Sequence, residues 1–220
     1  MSEIKKEQIS NYKKLCDKWA GKFLCMDKEK LMQRLPELKR EEEYLRITHF
    51  GIVYGISLTD GRIRFMEREE EPDVTAMLNI YTLLEYARET AVFMDKWVPF
   101  RELRGAGPFA PAYKLGVTDV FAQTFSGQAD KLRSACESMG GIRLPQGDVG
   151  YEIRAFSCMP LRFYFWDKDE EFAAQGNILF DYSATDYNHV ESAVTVAEEG
   201  IRRLAETAGV PVRGKSFGMK

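Results

Sequence analysis

Apolar side chains recur at helical spacing at both ends of the chain and at strand spacing between them. Over residues 4–22, Tyr12, Leu15, Cys16 and Trp19, continued by Phe23, fall on one stripe with lysines elsewhere, which predicts an amphipathic helix. Asp27 is placed to cap a second, short helix carrying Leu31, Met32 and Leu35 and stopped near Pro36. From residue 43 the period changes to two. Residues 44–50, 52–58 and 62–66 read as strands, and Asp60-Gly61 is the hairpin signal between the last two. His49 shares a face with Leu45 and Ile47, the position of a packed core residue rather than a ligand.

After the acidic run at residues 67–71, which reads as a solvated loop, Asp73 caps a helix with Val74, Met77, Leu78, Tyr81 and Leu84 on one stripe. Pro99 biases the KWVPF segment at residues 96–100 toward extended geometry. Two helices are expected near residues 117–125 and 128–139, the second ended by Gly140-Gly141. Residues 151–157, 161–166 and 178–180 read as strands. Ser183, Thr185, Asp186 or Asn188 is placed to cap a last helix. Its stripe of Val190, Val194, Ala197, Ile201, Leu204 and Ala208 runs to Gly209 and Pro211. The tail beyond residue 210 is expected to fray.

These elements predict a single α+β domain over residues 1–220. Its mostly antiparallel sheet of about six strands would be covered by helices, with residues 1–36 as an N-terminal helical layer. Whether the strands form one sheet or two stays open.

Composition narrows the function classes without choosing one. A formal net charge of −3 gives no electrostatic case for nucleic acid. No apolar run approaches the roughly 20 residues of a membrane span. The start, MSEIKKEQIS, has neither the apolar core nor the cleavage site of a signal peptide, so the cytoplasm is the default location. The cysteines at 16, 25, 136 and 158 form no C-x-x-C pair and read as small buried hydrophobes. With only His49 and His189, a zinc site of the usual composition is not expected.

Candidate chemistry concentrates between Leu161 and Tyr187. There, two apolar strands each end in carboxylates: Asp167, Asp169 and Glu171 after the first, Asp181 after the second. Carboxylates delivered to one rim would bind a hard cation or raise one another's pKa, so Asp167, Asp169 and Asp181 are the metal candidates. A solvated acidic loop is the plainer alternative. An EF-hand is rejected, because Phe172 stands where the loop needs Gly and Ile178 where it needs Glu. The segment RELRGAGPFAPAY sets Arg101 and Arg104 beside two glycines, a composition able to hold an anion. It is neither a Walker loop nor a dinucleotide fingerprint.

Three segments carry a family resemblance: W-x-x-F-R-E-L at residues 97–103, F-W-x-x-D-E-E-F at 165–172, and N-I-L-F-D-x-S-A-x-x-Y at 177–187. In these the chain resembles an uncharacterised family, catalogued as a domain of unknown function, from anaerobic bacteria and archaea; the match spans about residues 40–200. Family members usually show an acidic pair soon after the final Tyr, whereas here Glu191 stands alone. The resemblance implies no established activity. Some relatives carry a cysteine-rich iron–sulfur segment like those of corrinoid one-carbon enzymes, which implies anaerobic cofactor metabolism. This chain lacks the segment, which implies no cluster of its own.

Two functional readings follow. The first is an accessory module holding a small ligand, a cofactor or a protein partner. Its candidate surface comprises Arg101, Arg104, Asp167, Asp169, Glu171, Asp181 and Tyr187. The second is a Mg²⁺- or Mn²⁺-dependent hydrolase built on the carboxylates, with His49 or His189 moving the proton. No cofactor and no oligomeric state is specified.

Overall fold

A computed structural model describes the backbone from Glu3 to Gly214, with side chains from Lys14 onward. Helix α1 (Glu3–Cys25) and helix α2 (Lys28–Arg34) come first. They meet at Asp27, whose carboxylate accepts from Glu29 N and Lys30 N as the cap of α2. The α1 stripe packs inward through Ala20 and Phe23, and Trp19 stacks on Tyr81 with ring centroids 6.4 Å apart. The side chain of Tyr12 and the tail beyond residue 214 lie outside the described residues.

Four strands follow: β1 (Lys39–Glu41), β2 (Tyr44–His49), β3 (Ile52–Ser57) and β4 (Ile63–Phe65). They form one sheet in the order β1-β2-β3-β4. Helix α3 (Val74–Tyr86), capped by Asp73 as expected, leads to β5 (Trp97–Pro99). The chain then takes two 3₁₀ turns, α4 (Ala110–Tyr113), a π-helical turn over Lys114–Thr118, α5 (Asp119–Phe125) and α6 (Ala129–Ser138). The second sheet is completed by β6 (Ile142–Arg143), β7 (Val149–Phe156), β8 (Met159–Trp166) and β9 (Gln175–Asp181), in the order β5-β9-β8-β7-β6. Short α7 (Ala184–Tyr187) and long α8 (Val190–Ala208) close the chain, with Gly209 in the left-handed conformation after α8.

The architecture is α+β, and every pairing among the described strands is antiparallel. The strands divide between two sheets, and those beyond the six expected, β1, β5 and β6, are short edge pieces of two or three residues. The cap of α8 also differs from expectation. His49's counterpart near the C-terminus, His189, occupies the cap and accepts from Glu191 N at 3.3 Å. Ser183 sits before α7 but gives its side chain to Asp181 instead.

The join between the sheets positions the rest. Phe50 and Gly51 both take positive φ, 47° and 77°, which makes the two-residue turn that suits a twisted hairpin. Periodicity had placed Phe50 within the strand, because nothing about a phenylalanine signals a left-handed backbone. The turn docks on the second sheet: Phe50 N–H donates to Ala155 O at 2.9 Å. The ladder of β7 and β8 shifts register between Arg154 and Phe156, which frees that carbonyl. His49 Nε2 faces Asn79 Nδ2 at 3.4 Å, so Nδ1 carries the proton and donates to the same Ala155 O at 2.9 Å. Asn79 Oδ1 accepts in turn from Thr195 Oγ1 of α8 at 2.6 Å. His49 is therefore a packed core residue, stacked on Phe156 and unable to serve a surface reaction.

Helix α8 lies across this join. A Cβ on Gly200 would come within 2.7 Å of Phe163 in one sheet and 3.0 Å of Phe50 at the tip of the other, so only glycine lets the helix approach both. Buried Glu199 pairs with Arg202 and Arg203, and Arg203 reaches the Tyr54 hydroxyl of β3 at 2.8 Å.

Candidate functional site

The pairing of β8 with β9 decides which candidate residues meet. Leu161 faces Phe180 and Trp166 faces Gln175, so the end of β8 lies beside the start of β9. Asp167 and Asp181 consequently sit at opposite ends of the hairpin, on the order of 20 Å apart at 3.3 Å per residue. Carboxylate ligands of Mg²⁺ or Ca²⁺ lie within about 2.6 Å of the ion. The expectation that Asp167, Asp169 and Asp181 share a cation is corrected: the antiparallel register keeps them apart. Among the described residues no group of three or more His, Cys, Asp and Glu side chains is placed to hold a metal ion.

At the far end, the Asp167–Glu171 turn organises itself. Asp169 Oδ1 accepts from Glu171 N at 2.8 Å and Phe172 N at 2.7 Å, which holds its carboxyl below the usual range. Asp167 Oδ1 accepts from Gly127 N at 2.7 Å and Lys168 N at 2.8 Å, and its own N–H donates to Asp148 at 2.7 Å. Glu171 contributes a backbone N–H and leaves its side chain in solvent. These are the bonds of a capped surface turn.

The near end is different. Asp181 is 1% exposed and accepts four hydrogen bonds: from Met94 N (3.1 Å), Lys96 N (2.9 Å), Ser183 N (3.0 Å) and Ser183 Oγ. Two of those donors belong to the strap at residues 88–96, which links α3 to β5. Tyr182 N–H donates to Lys96 O at 2.7 Å, and the Tyr187 hydroxyl donates to Ala91 O at 3.3 Å. Asp181 therefore fixes the strap in place and is not a free ligand. The strap turns its apolar tip outward, with Val92, Phe93 and Met94 respectively 66%, 42% and 51% exposed.

Cations flank this strap. Arg88 (3.1 Å) and Arg104 both reach the buried Asp186 carboxylate, and Arg104 Nε also donates to Thr185 Oγ1 at 3.3 Å. Lys96 and Arg104 lie over the Tyr182 ring, 4.4 and 5.6 Å from its centroid. Arg101 points into solvent with Glu102 3.9 Å away. The Arg/Gly loop thus joins Asp181, Asp186 and Tyr187 at one rim, and the acidic turn does not.

The same rim holds a contact the sequence concealed. Glu37 reaches the tip of the β7–β8 hairpin, where it accepts from Cys158 N at 2.9 Å and meets Cys158 Sγ at 3.6 Å. Burial raises the Glu37 carboxyl above its usual range. Burial, reinforced by the Glu37 charge, pushes the Cys158 thiol well up, so this cysteine rests as an inert thiol. Burial first, then Cys158, Glu37, Asp181 and Asp186, raises the Tyr187 phenol. Sequence spacing gives no hint of a pair 121 residues apart.

An α+β protein of two antiparallel sheets, with a strap locked by a buried carboxylate, is the class that fold and site define. The chain belongs to the family described as a domain of unknown function, DUF3786, whose model matches residues 27–203. No curated protein and no solved structure matches the chain. Two of the segments that carried the resemblance meet in space: β5 pairs with β9, with Trp97 opposite Asp181 and Pro99 opposite Leu179. No described helix is long and apolar enough to cross a membrane.

Proposed function

We propose that this protein is an accessory binding module of the cytoplasm that engages a protein partner. Its working surface is the strap at residues 88–96, flanked by Arg101 and Arg104 and braced from behind by Asp181 and Tyr187. One observation carries the reading: a fully buried carboxylate is committed to holding an exposed strap whose tip is apolar. Burying an ionised carboxylate costs several kcal/mol unless hydrogen bonds compensate. Asp181 has those bonds, and what they hold in place is three consecutive apolar side chains in water. Contiguous exposed apolar surface rimmed by polar groups is the signature of a docking patch. Anaerobic cofactor metabolism, implied by the family resemblance, is the setting in which to look for the partner.

The test compares the wild-type protein with a Val92→Ser, Phe93→Ser, Met94→Ser variant, each isolated from its native cells without oxygen. Equal melting temperatures would show that the variant folds. Components that accompany the wild type and are depleted at least tenfold from the variant support the proposal. An identical set with both proteins overturns it.

A further inference from the structure

Three cations bracket the strap and share one buried anion. Arg88, its first residue, reaches Asp186 Oδ1 at 3.1 Å, and Arg104 reaches Oδ2 of the same carboxylate. Asp186 is buried behind them, whereas both arginines are exposed. One carboxylate therefore sets the spacing of two guanidinium groups and neutralises one. Arg104 is fixed further by Nε, which donates to Thr185 Oγ1 at 3.3 Å. Exposed Lys96, the last residue of the strap, lies over the half-buried Tyr182 ring at 4.4 Å, and Arg104 lies 5.6 Å from the same ring. The acids nearby leave this local surplus of positive charge in place. Asp181 is spent on main-chain amides and Ser183, Asp95 accepts from Trp97 Nε1 at 2.8 Å, and Glu102 lies 3.9 Å from Arg101. Among the described residues Glu89, exposed beside Arg88, pairs with none of these cations.

We propose, on the reading that the strap is the working surface, that its protein partner presents an acidic–apolar segment. Apolar side chains of that segment cover Val92, Phe93 and Met94, and adjacent Asp or Glu carboxylates take the open donors of Arg88, Arg104 and Lys96. A guanidinium offers five donors in a fixed fork and is weakly hydrated, so an arginine already held in place loses little freedom on meeting a second carboxylate. Purely apolar contact would press these cations against a dry patch, and withdrawing a charge from water with no counter-charge is costly. Carboxylates on the partner turn that cost into attraction and faster encounter. Discrete carboxylates fit this surface better than an anionic bilayer does. Glu89, Asp95 and Glu102 stand exposed among the cations and would meet a uniformly negative surface with like charge.

Randomised dodecapeptides displayed on phage and selected against the full-length protein provide the probe. Enriched sequences are expected to carry Asp or Glu beside Leu, Ile, Phe or Met. Remade with Asn or Gln at the acidic positions, they are expected to bind about tenfold more weakly by calorimetry, the effect of one lost ion pair in a desolvated contact. Lys96→Glu alters an exposed side chain of a residue that meets Asp181 through its main-chain N–H. It is expected to weaken the acidic peptides by a similar factor at an unchanged melting temperature. Arg88→Gln, which leaves Arg104 on Asp186, is expected to do the same. Vesicles of phosphatidylcholine and phosphatidylserine in equal parts are expected to leave the protein in the supernatant on sedimentation. Failure to enrich any sequence overturns the proposal, and so does sedimentation with the vesicles. Acidic peptides that bind both variants as tightly as the wild type overturn it as well. Acid-free peptides that lose binding to the Val92→Ser, Phe93→Ser, Met94→Ser variant overturn the acidic preference and keep the strap. Acidic peptides that bind this serine variant undiminished overturn the strap reading and keep the anion site.

Discussion

At the end of β8 the chain carries five charged residues in a row, Asp167 to Glu171, and at the end of β9 a single Asp181. The crowded end is the quieter one. Its carboxylates bond to neighbouring amides and to Gly127 N, and they remain in reach of water. The single carboxylate is the one enclosed, with donors drawn from residues 85 and 87 positions away. The contrast teaches that strand pairing, not local acidity, decides what a carboxylate does. Burial shifts the protonation of Glu37, Cys158, Tyr187 and His49, whereas at the crowded end Asp169 is shifted by its own turn's amides.

If this contrast is right, Asp181→Ala should have the largest effect. It strands Met94, Lys96 and Ser183 donors in a dry site, and a loss of about 3–5 kcal/mol is expected by denaturant titration. Amide exchange over residues 88–96 should accelerate more than exchange anywhere in α8. Stability unchanged within error would abolish the distinction between the ends.

Acid should act next, and through a buried histidine. Burial pushes His49 down to about 3, so the folded protein keeps it neutral while the unfolded chain protonates near 6.5. The unfolded state then binds more protons between these values, and stability falls as pH drops through that window, by up to about 1.4 kcal/mol per unit. In His49→Gln the slope between pH 6 and pH 4 should flatten. A variant with the wild-type slope would place the acid sensitivity elsewhere.

A smaller change is expected at the hairpin tip. Glu37→Gln removes the charge that, after burial, holds the Cys158 thiol up. Alkylation of Cys158 at pH 8 should speed up several-fold, followed by mass spectrometry of the labelled peptide. The smallest effects belong to the far end. Asp167→Ala should cost about 1 kcal/mol or less, the worth of an ordinary hydrogen bond. Asp169→Ala should leave the unfolding midpoint where it is. A large loss from either would overturn the contrast from its other side.

Local features were legible in the sequence because their causes are local. The caps at Asp27 and Asp73 accept from amides two or three residues on, and the stripe of α8 lies within one helix. The antiparallel character and α+β class follow from strand spacing and turn chemistry. Three features were not legible, each for a physical reason. The division into two sheets depends on a bulge at Ala155 and a positive φ at Phe50, neither of which leaves a mark in residue type. The separation of Asp167 from Asp181 depends on β8 and β9 forming one antiparallel hairpin, so that strands which both run into acid run in opposite directions. The role of Asp181 depends on main-chain donors, which every residue but proline supplies and no sequence pattern reports.

The junction at Ala155 has a consequence for how this fold tolerates change. Its carbonyl takes hydrogen from both Phe50 and His49, so one oxygen atom ties the tip of the first sheet to a strand of the second. A main-chain acceptor cannot be deleted by altering a side chain. Altering the Ala155 side chain cannot remove that oxygen, although the site is too tightly packed for a larger one, while a one-residue deletion there would remove the bulge that presents the oxygen to the other sheet.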